Sequence, residues 1–64
     1  MARKLLKEFR TSISLTQEQM AEKLEITLSH YKQIECGFKN PSLKTLKKFK
    51  GEFPTANIVD IFLT

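Results

Sequence analysis

The side chains of this sequence that could do chemistry are hydrogen-bonding groups on one face of a predicted helix. Across residues 27–36, helical spacing points Tyr31 and Ile34 inward with Ile26. It directs four side chains to the opposite face: Leu28, Ser29, Lys32 and Gln33. This face offers a hydroxyl, an ammonium and an amide, and it is nearly free of acid. Groups of this kind bind a polar or anionic partner, and they do not by themselves make a reaction site.

No constellation for catalysis or for a cofactor accompanies this face. The chain has 1 His and 1 Cys, too few for a structural zinc site, and Cys36 cannot form an internal disulfide. It also lacks a Ser, His and Asp set, paired carboxylates in a plausible cleft and a glycine-rich phosphate loop. We therefore expect no enzyme, no metal, no cofactor and no small-molecule substrate. We expect His30 to be an exposed imidazole and Cys36 an inert small side chain, and we assign a role to neither.

Length and charge narrow the class of partner. The 64 residues carry a formal net charge of +4, and so short a chain forms one domain at most, residues 1–64. Basic residues concentrate in residues 1–15 and 32–50, and the second block has six lysines against one glutamate. No apolar run reaches the roughly 18 to 20 residues of a membrane span, and no signal core follows the N-terminus. We expect a cytoplasmic protein suited to an acidic partner such as nucleic acid.

The first two helices are predicted from apolar spacing and from a cap. The first, from about Ala2 to Ser12, has an apolar stripe that consists of Leu5, Leu6, Phe9 and Ile13. The second begins at a capping box in which Thr16 and Gln19 bond each other's backbone. It extends to Leu24, and its inner face is Met20, Ala21 and Leu24.

Three more helices follow after short connections. Thr27 is a good N-cap for the third helix, which runs to about Cys36 and ends at Gly37 in a left-handed conformation. Residues 40–42, Asn-Pro-Ser, signal a loop and the cap of a fourth helix, whose apolar spacing includes Leu43. A break at residue 54 precedes a short fifth helix, residues 56–63. The predicted architecture is an all-α, compact five-helix fold.

A spaced set of residues within positions 15–42 carries a family resemblance that covers nearly the whole chain. The set is Leu15, Thr16, Gln17, Met20, Ala21, Leu24, Ile26, Thr27, Ile34, Glu35, Gly37, Asn40, Pro41 and Ser42. It resembles the Cro and phage-repressor (XRE-type) helix-turn-helix family, and residues 57–62 are similar to the ends of small regulators from Gram-positive phages and mobile elements. The resemblance implies a lambda-repressor-like domain and a sequence-specific double-stranded DNA-binding regulator of transcription, expected to be a repressor.

The resemblance also implies how DNA would be bound. The third helix would enter the major groove while the second crosses the backbone, and the base-contacting residues would be Thr27, Leu28, Ser29, Lys32 and Gln33. Those contacting phosphates would be Thr16, Gln17, Lys39, Asn40, Ser42 and Lys44. Helix N-termini present free N–H groups to anions, which independently supports Thr16, Gln17 and Ser42. For Lys44, a plain solvated position is an equal alternative.

Further positions are interpreted against the family pattern. Arg10 and Glu35 occupy positions that pair in this family and tie the first helix to the third; the alternative is two surface charges. Glu25 stands where the family usually has a glycine with positive φ. Ser14 also stands where glycine is common, and Lys50 stands where a small residue normally packs. Leu28 replaces the polar or basic base reader that is frequent at its position, which suggests contact with a thymine methyl group.

The C-terminal segment is richer in apolar residues than its own core requires. Six of the eight residues 56–63 are apolar, and two interpretations stay open. In one interpretation, the surplus forms a homodimer surface through Val59, Phe62 and Leu63. In the other, Val59 and Leu63 simply cover the first and fourth helices. The family favours a dimer, because phage-type repressors bind two-fold operators. A different class of function, a protein-interaction module such as an antitoxin or an anti-repressor, would use the same segment to bind a protein partner.

Overall fold

The chain folds as a bundle of short helices in a computed structural model that describes residues 2–62. Within that range it contains five helices and no strand: α1 (Lys4–Ser12), α2 (Gln17–Leu24), α3 (Leu28–Glu35), α4 (Leu43–Glu52) and α5 (Ile58–Phe62). Helix α2 packs on α3 and α4, while α1 packs on α5 and α3. The all-α, five-helix architecture predicted from the sequence is confirmed.

Side-chain caps fix where the middle helices begin. The hydroxyl oxygen of Thr16 accepts the N–H of Gln19 at 3.1 Å, and the amide oxygen of Gln19 accepts the N–H of Thr16 at 2.9 Å. Thr27 caps α3 by accepting the N–H of His30 at 3.1 Å. Ser42 caps α4 in the same way. Each N-cap contributes about 1 kcal/mol, so the predicted caps set the register of α2, α3 and α4.

The outer two helices begin later than predicted. Helix α1 starts at Lys4 and not at Ala2, because the backbone of Arg3 is non-helical and its N–H bonds the carbonyl oxygen of Glu35 at 2.8 Å. Helix α5 starts at Ile58 and not at residue 56, because the side-chain oxygen of Asn57 accepts the N–H of residue 60 at 3.1 Å and caps the helix. The predicted end of α5 at residue 63 lies outside the described residues.

The core forms where the inner faces of the helices meet. Five large side chains are almost completely buried: Leu6, Met20, Tyr31, Ile34 and Phe49. Three further phenylalanines surround Phe49, with ring centroids 5.0 Å away for Phe62, 5.1 Å for Phe53 and 5.6 Å for Phe9. Tilted and edge-on pairs of this kind stabilise beyond the area they bury. The inner faces predicted for α2 and α3 are confirmed.

The predicted apolar stripe of α1 is too wide. Leu6 is buried, but Leu5 and Ile13 are 39% and 40% exposed. Each helical residue turns about 100° from the last, so Leu5 lies at the edge of a face whose centre also includes the buried Arg10. Leu43, which has helical spacing with the core residues of α4, is 67% exposed because it lies at the very start of that helix.

Three turns use positive φ, and two of them do so without glycine. The φ angles are 60° at Ser14, 59° at Glu25 and 83° at Gly37. The left-handed conformation expected at Glu25 is confirmed, and it lets α2 end and α3 begin with only residues 25–27 between them. The carboxylate of Glu25 pairs with the ammonium of Lys48 on α4 at 2.9 Å, a contact that the sequence did not predict. Lys48 lowers the pKa of this carboxyl.

Candidate nucleic-acid interface

Helix α3 presents a polar side to the outside while its other side is anchored in the core. Tyr31 and Ile34 are 0% and 1% exposed, so the rotation of α3 about its axis is fixed by packing. Of the five residues predicted to contact bases, Thr27, Ser29 and Lys32 are exposed, and Leu28 and Gln33 are half-buried. We call these five residues the α3 outer face.

Most polar side chains of the α3 outer face are left free by the fold. Within residues 2–62, the side chains of Ser29, Lys32 and Gln33 make no hydrogen bond or ion pair. Thr27 is the exception, because its oxygen caps the helix. Leu28 leans toward α2 and borders a shallow depression lined there by Glu18, Ala21 and Glu22. The face therefore offers a free hydroxyl, ammonium and amide beside a partly accessible leucine.

A buried ion pair holds α3 against α1. The structure brings Arg10 and Glu35 together in a two-pronged contact, with Nε to Oε2 at 2.9 Å and Nη2 to Oε1 at 3.1 Å. The Nη1 group of Arg10 also donates to the carbonyl oxygen of Leu15 at 2.7 Å. Removal of either charge would leave the other buried and unpaired, which makes the pair a strong geometric constraint. Tyr31 is fully buried beside it, and burial raises the pKa of the Tyr31 hydroxyl.

The carboxylate of Glu35 remains ionised in spite of its burial. Burial is the largest single influence and raises its pKa. The hydrogen bonds and the positive charge of Arg10, with further hydrogen bonds to the carboxylate, together outweigh burial and leave the Glu35 pKa below its ordinary value. The side-chain amide of Gln17, at the start of α2, also donates to Oε1 at 3.2 Å. Glu35 thus joins α1, α2 and α3 at one point.

The residues predicted to contact phosphates lie at two helix starts and in the loop before α4. Thr16 caps α2, and Gln17 is half-buried with one amide N–H already given to Glu35. The hydroxyl of Ser42 caps α4 and donates to Oγ1 of Thr45 at 3.1 Å. Both hydroxyl oxygens are engaged, so these ends offer an anion chiefly the backbone N–H groups of the first helical turn. Lys44 is exposed in the first turn of α4.

The loop between α3 and α4 is folded back on the end of α3. The N–H groups of Phe38 and Lys39 both bond the carbonyl oxygen of Gln33, at 2.9 and 3.1 Å. Lys39 and Asn40 are exposed, and within the described part of the chain the ammonium of Lys39 has no partner. Phe38, a large apolar side chain in this loop, is 73% exposed. This loop is a fixed platform next to the C-terminal end of α3.

Arg3 is the polar residue that sequence reasoning missed most completely. It is 9% exposed, its Nη2 group donates to Oδ1 of Asn40 at 2.7 Å, and its Nη1 group donates to the carbonyl oxygen of Ile34 at 3.3 Å. These contacts join residues 37 and 31 positions apart in the sequence. No periodicity or motif around residue 3 predicts a partner at that distance.

A basic depression lies between α1, α2 and α3. Basic side chains dominate its lining, which is Ala2, Arg3, Lys4, Lys7, Gln17, Lys32, Glu35 and Cys36. Because Glu35 is already paired with Arg10, its charge does not cancel that of the lysines. The depression extends the positive surface from the α3 outer face to the start of α1.

One part of the predicted homodimer surface is wrong. Phe62 is 6% exposed and packs edge-on against Phe49, so it belongs to the core and does not face a partner. Val59 is 61% exposed and remains available. Leu63 lies outside the described residues. The alternative prediction, that Val59 and Leu63 cover the first and fourth helices, is also wrong at Val59, because that side chain is exposed. The residues of α5 that do pack into the core are Phe62 and the equally buried Ile61.

The single histidine and cysteine do not form a metal site. Across residues 2–62, no three His, Cys, Asp or Glu side chains are grouped to hold a metal ion. His30 is half-buried, although the sequence predicted an exposed imidazole. Cys36 is exposed, and its thiol donates to the carbonyl oxygen of Gln33 at 3.3 Å. Among the same residues, no helix is long and apolar enough to cross a membrane.

Comparison with known proteins agrees with this geometry. A relative from Archaeoglobus fulgidus, described as an uncharacterized HTH-type transcriptional regulator, is 38% identical over 58 residues, which are 91% of this chain and 80% of the relative. No solved structure matches the chain. This relative is archaeal, and the expected similarity to regulators of Gram-positive phages stays a prediction. A family model described as helix-turn-helix matches residues 6–49, the segment that contains α2, the tight turn and α3. The chain therefore belongs to the helix-turn-helix family, in its XRE-type branch.

Proposed function

We propose that the protein is a sequence-specific double-stranded DNA-binding regulator of transcription. It acts as a repressor by occupying a promoter operator, without a catalytic step or a cofactor. Membership of the helix-turn-helix family and the printed description of the archaeal relative support this class of function. We expect the protein in the cytoplasm, the compartment that holds prokaryotic DNA.

The observation that carries the proposal is the α3 outer face. Its hydroxyl, ammonium and amide bond nothing within the described residues, while the opposite side of the helix is locked by Tyr31 and Ile34. Free donors and acceptors on a rigid helix suit base edges in the major groove, where each base pair presents a distinct pattern. Gln33 can pair with adenine through two hydrogen bonds, and Leu28 can contact a thymine methyl group.

Phosphate contacts on either side of α3 would position the helix. The proposed set is Thr16, Gln17, Lys39, Asn40, Ser42 and Lys44. Exposed lysines and helix N-termini both attract phosphate. Glu35, the last residue of α3, is paired with Arg10 and so repels phosphate less. These contacts would supply affinity that carries no sequence information and falls steeply with salt.

A selection from random duplexes at fixed salt tests the proposal. We expect enrichment of one DNA sequence, and we expect its affinity to fall by roughly a thousandfold between about 50 and 200 mM salt if six or more phosphates are contacted. Failure to enrich any sequence would contradict sequence-specific binding. Unchanged affinity across that salt range would contradict the phosphate contacts.

A homodimer on DNA is the form we propose for the regulator. Its support is the two-fold symmetry common to operators of this family and the exposure of Val59 on α5. The same selection tests it, because a dimer enriches a two-fold site with half-sites about 10 base pairs apart. A single, asymmetric enriched site would argue for a monomer.

The exposed valine also supports a second candidate, a protein-interaction module such as an antitoxin or an anti-repressor. Val59 is 61% exposed in a helix of five residues, more than an ordinary core element needs. Salt separates the two functions, because an apolar interface lacks the steep dependence that phosphate neutralisation gives.

A further inference from the structure

We infer that Arg3 is a positioning residue that orients the amide of Asn40 for phosphate. This inference rests on the proposed function, because it assigns a role in DNA binding to Arg3, which is in neither the proposed base contacts nor the proposed phosphate contacts. Arg3 itself is 9% exposed, so it acts through the residue it holds and not by touching DNA.

The orientation of the Asn40 amide follows from the chemistry of its neighbour. A guanidinium has N–H donors and no acceptor, so the amide atom that it contacts must be the oxygen. The Nη2 group of Arg3 lies 2.7 Å from Oδ1 of Asn40. The amide nitrogen of Asn40, with its two N–H donors, is therefore turned away from Arg3 on an exposed residue. Phosphate oxygens accept hydrogen bonds, so this is the orientation that binds an anion.

Arg3 is itself held in place by the end of α3. Its backbone N–H bonds the carbonyl oxygen of Glu35 at 2.8 Å, and Nη1 bonds that of Ile34 at 3.3 Å. The last carbonyl groups of a helix lack partners within the helix and carry partial negative charge, which suits a cation. Arg3 thus holds Asn40 in a fixed position relative to α3. Asn40 follows Lys39 in the chain, and the ammonium of Lys39 is free within the described residues.

Gln17 provides a contrast within the same interface. Its amide nitrogen donates to Oε1 of Glu35 at 3.2 Å, and a carboxylate accepts but cannot donate. One of the two N–H groups of Gln17 is therefore used inside the fold, and its oxygen is turned outward. Asn40 keeps both donors for an external anion, so we expect Asn40 to be the stronger phosphate contact of the two amides.

A double-mutant cycle with a random-sequence duplex of about 20 base pairs at about 50 mM salt tests the inference, because phosphate contacts are independent of sequence. Asn40→Ala should weaken binding roughly tenfold, the size of a hydrogen bond to a charged group. Arg3→Ala should weaken it several-fold in the wild-type background, and clearly less in the Asn40→Ala background. An equal effect in both backgrounds would overturn the inference, because Arg3 would then act independently of Asn40.

A second variant keeps the test decisive if Arg3→Ala does not fold. Asn40→Asp preserves an acceptor for Arg3 but replaces the outward N–H donors with a charged oxygen. We expect its unfolding midpoint to match or exceed that of the wild type, while its affinity for the random duplex falls at least as far as that of Asn40→Ala. Wild-type affinity in Asn40→Asp would overturn the inference and leave the proposed function intact. If the wild-type protein binds no duplex at all, the proposed function fails, and the inference fails with it.

Discussion

The outward side of α3 and its C-terminal end differ in how the fold uses polar side chains. On the outward side, the side chains of Ser29, Lys32 and Gln33 bond nothing within residues 2–62. At the C-terminal end, Glu35 accepts hydrogen bonds from Arg10 and Gln17.

The difference separates a surface that holds the helix from a surface that is free to bind. Satisfied, buried polar groups fix one geometry at a cost in desolvation, whereas free, exposed groups cost the fold little and keep their hydrogen-bonding capacity for a partner. Substitutions at the C-terminal end of α3 should therefore change stability. Substitutions on its outward side should change recognition.

The largest expected effect is a loss of stability when the ion pair at the C-terminal end of α3 is broken. Arg10→Ala leaves the Glu35 carboxylate buried without its partner, and the loss of unfolding free energy should be about 3 kcal/mol or more. In a chain of 64 residues that is a large part of the total. Urea unfolding followed by circular dichroism measures it. Lys7→Ala on the exposed side of the same helix is the matched control, and a loss of less than about 1 kcal/mol in Arg10→Ala would show that the pair is effectively solvated.

Acid should also lower the stability of the fold through Glu35, by a smaller amount than Arg10→Ala. The pKa of Glu35 is lowered from its ordinary value of 4.5 in the folded chain. Its contribution to stability is therefore complete above that value and is lost as the pH falls through the folded-state pKa. We expect the urea midpoint of the wild type to fall more steeply below about pH 4.5 than that of Glu35→Gln. Parallel curves for the two proteins would place the acid sensitivity elsewhere.

Among the residues proposed to contact phosphates, Lys39 is exposed in the loop between α3 and α4, and Lys39→Ala should weaken binding to all duplexes about equally. A phosphate contact carries no direct sequence information, so the ratio of specific to random affinity should stay constant while the salt slope falls by about one unit. Lys23→Ala on α2 removes the same charge outside the proposed contact set, and its salt slope should stay close to that of the wild type. If the two variants behave alike, Lys39 contributes only to net charge.

The smallest expected effect is at the turn between α2 and α3. Glu25→Gly relieves the strain of a left-handed backbone conformation at φ 59°, because glycine adopts this conformation without a steric penalty. It also removes the exposed pair with Lys48 and adds freedom to the unfolded chain, and both changes oppose the gain. We expect a slightly higher unfolding midpoint and unchanged DNA specificity. A lower midpoint would show that the pair with Lys48 outweighs the backbone strain.

Sequence patterns predicted the parts of the fold that depend on neighbouring residues. The capping box of Thr16 and Gln19 lies within one helical turn, and the left-handed turn at Glu25 is part of a spaced family pattern, so both were predicted correctly. Helical periodicity also identified Tyr31 and Ile34 as inward residues. The capping box and the periodicity are local, and a window of a few residues contains their whole physical cause. The turn at Glu25 was predicted only through the family resemblance.

The errors and omissions have a different origin. Phe62 was assigned to a dimer surface because an apolar stripe does not reveal whether it packs on its own chain or on a partner. The partnership of Arg3 with Asn40 spans 37 positions, and it depends on how α1 meets the end of α3. The pair of Glu25 with Lys48 likewise depends on the packing of α4 against α2. Long-range polar contacts are set by tertiary geometry, so local patterns do not contain them.

The most direct test of base reading by the α3 outer face is the DNA specificity of Gln33→Ala. Its amide has no partner within the described residues, so the substitution should leave the unfolding midpoint and the random-duplex affinity almost unchanged. Affinity for the selected operator should fall by roughly 1 to 3 kcal/mol, because a methyl group cannot replace a two-bond contact with adenine. A fall in the ratio of operator to random-duplex affinity is the result that the proposed interface predicts. A wild-type ratio in Gln33→Ala would contradict base reading by this residue of the α3 outer face.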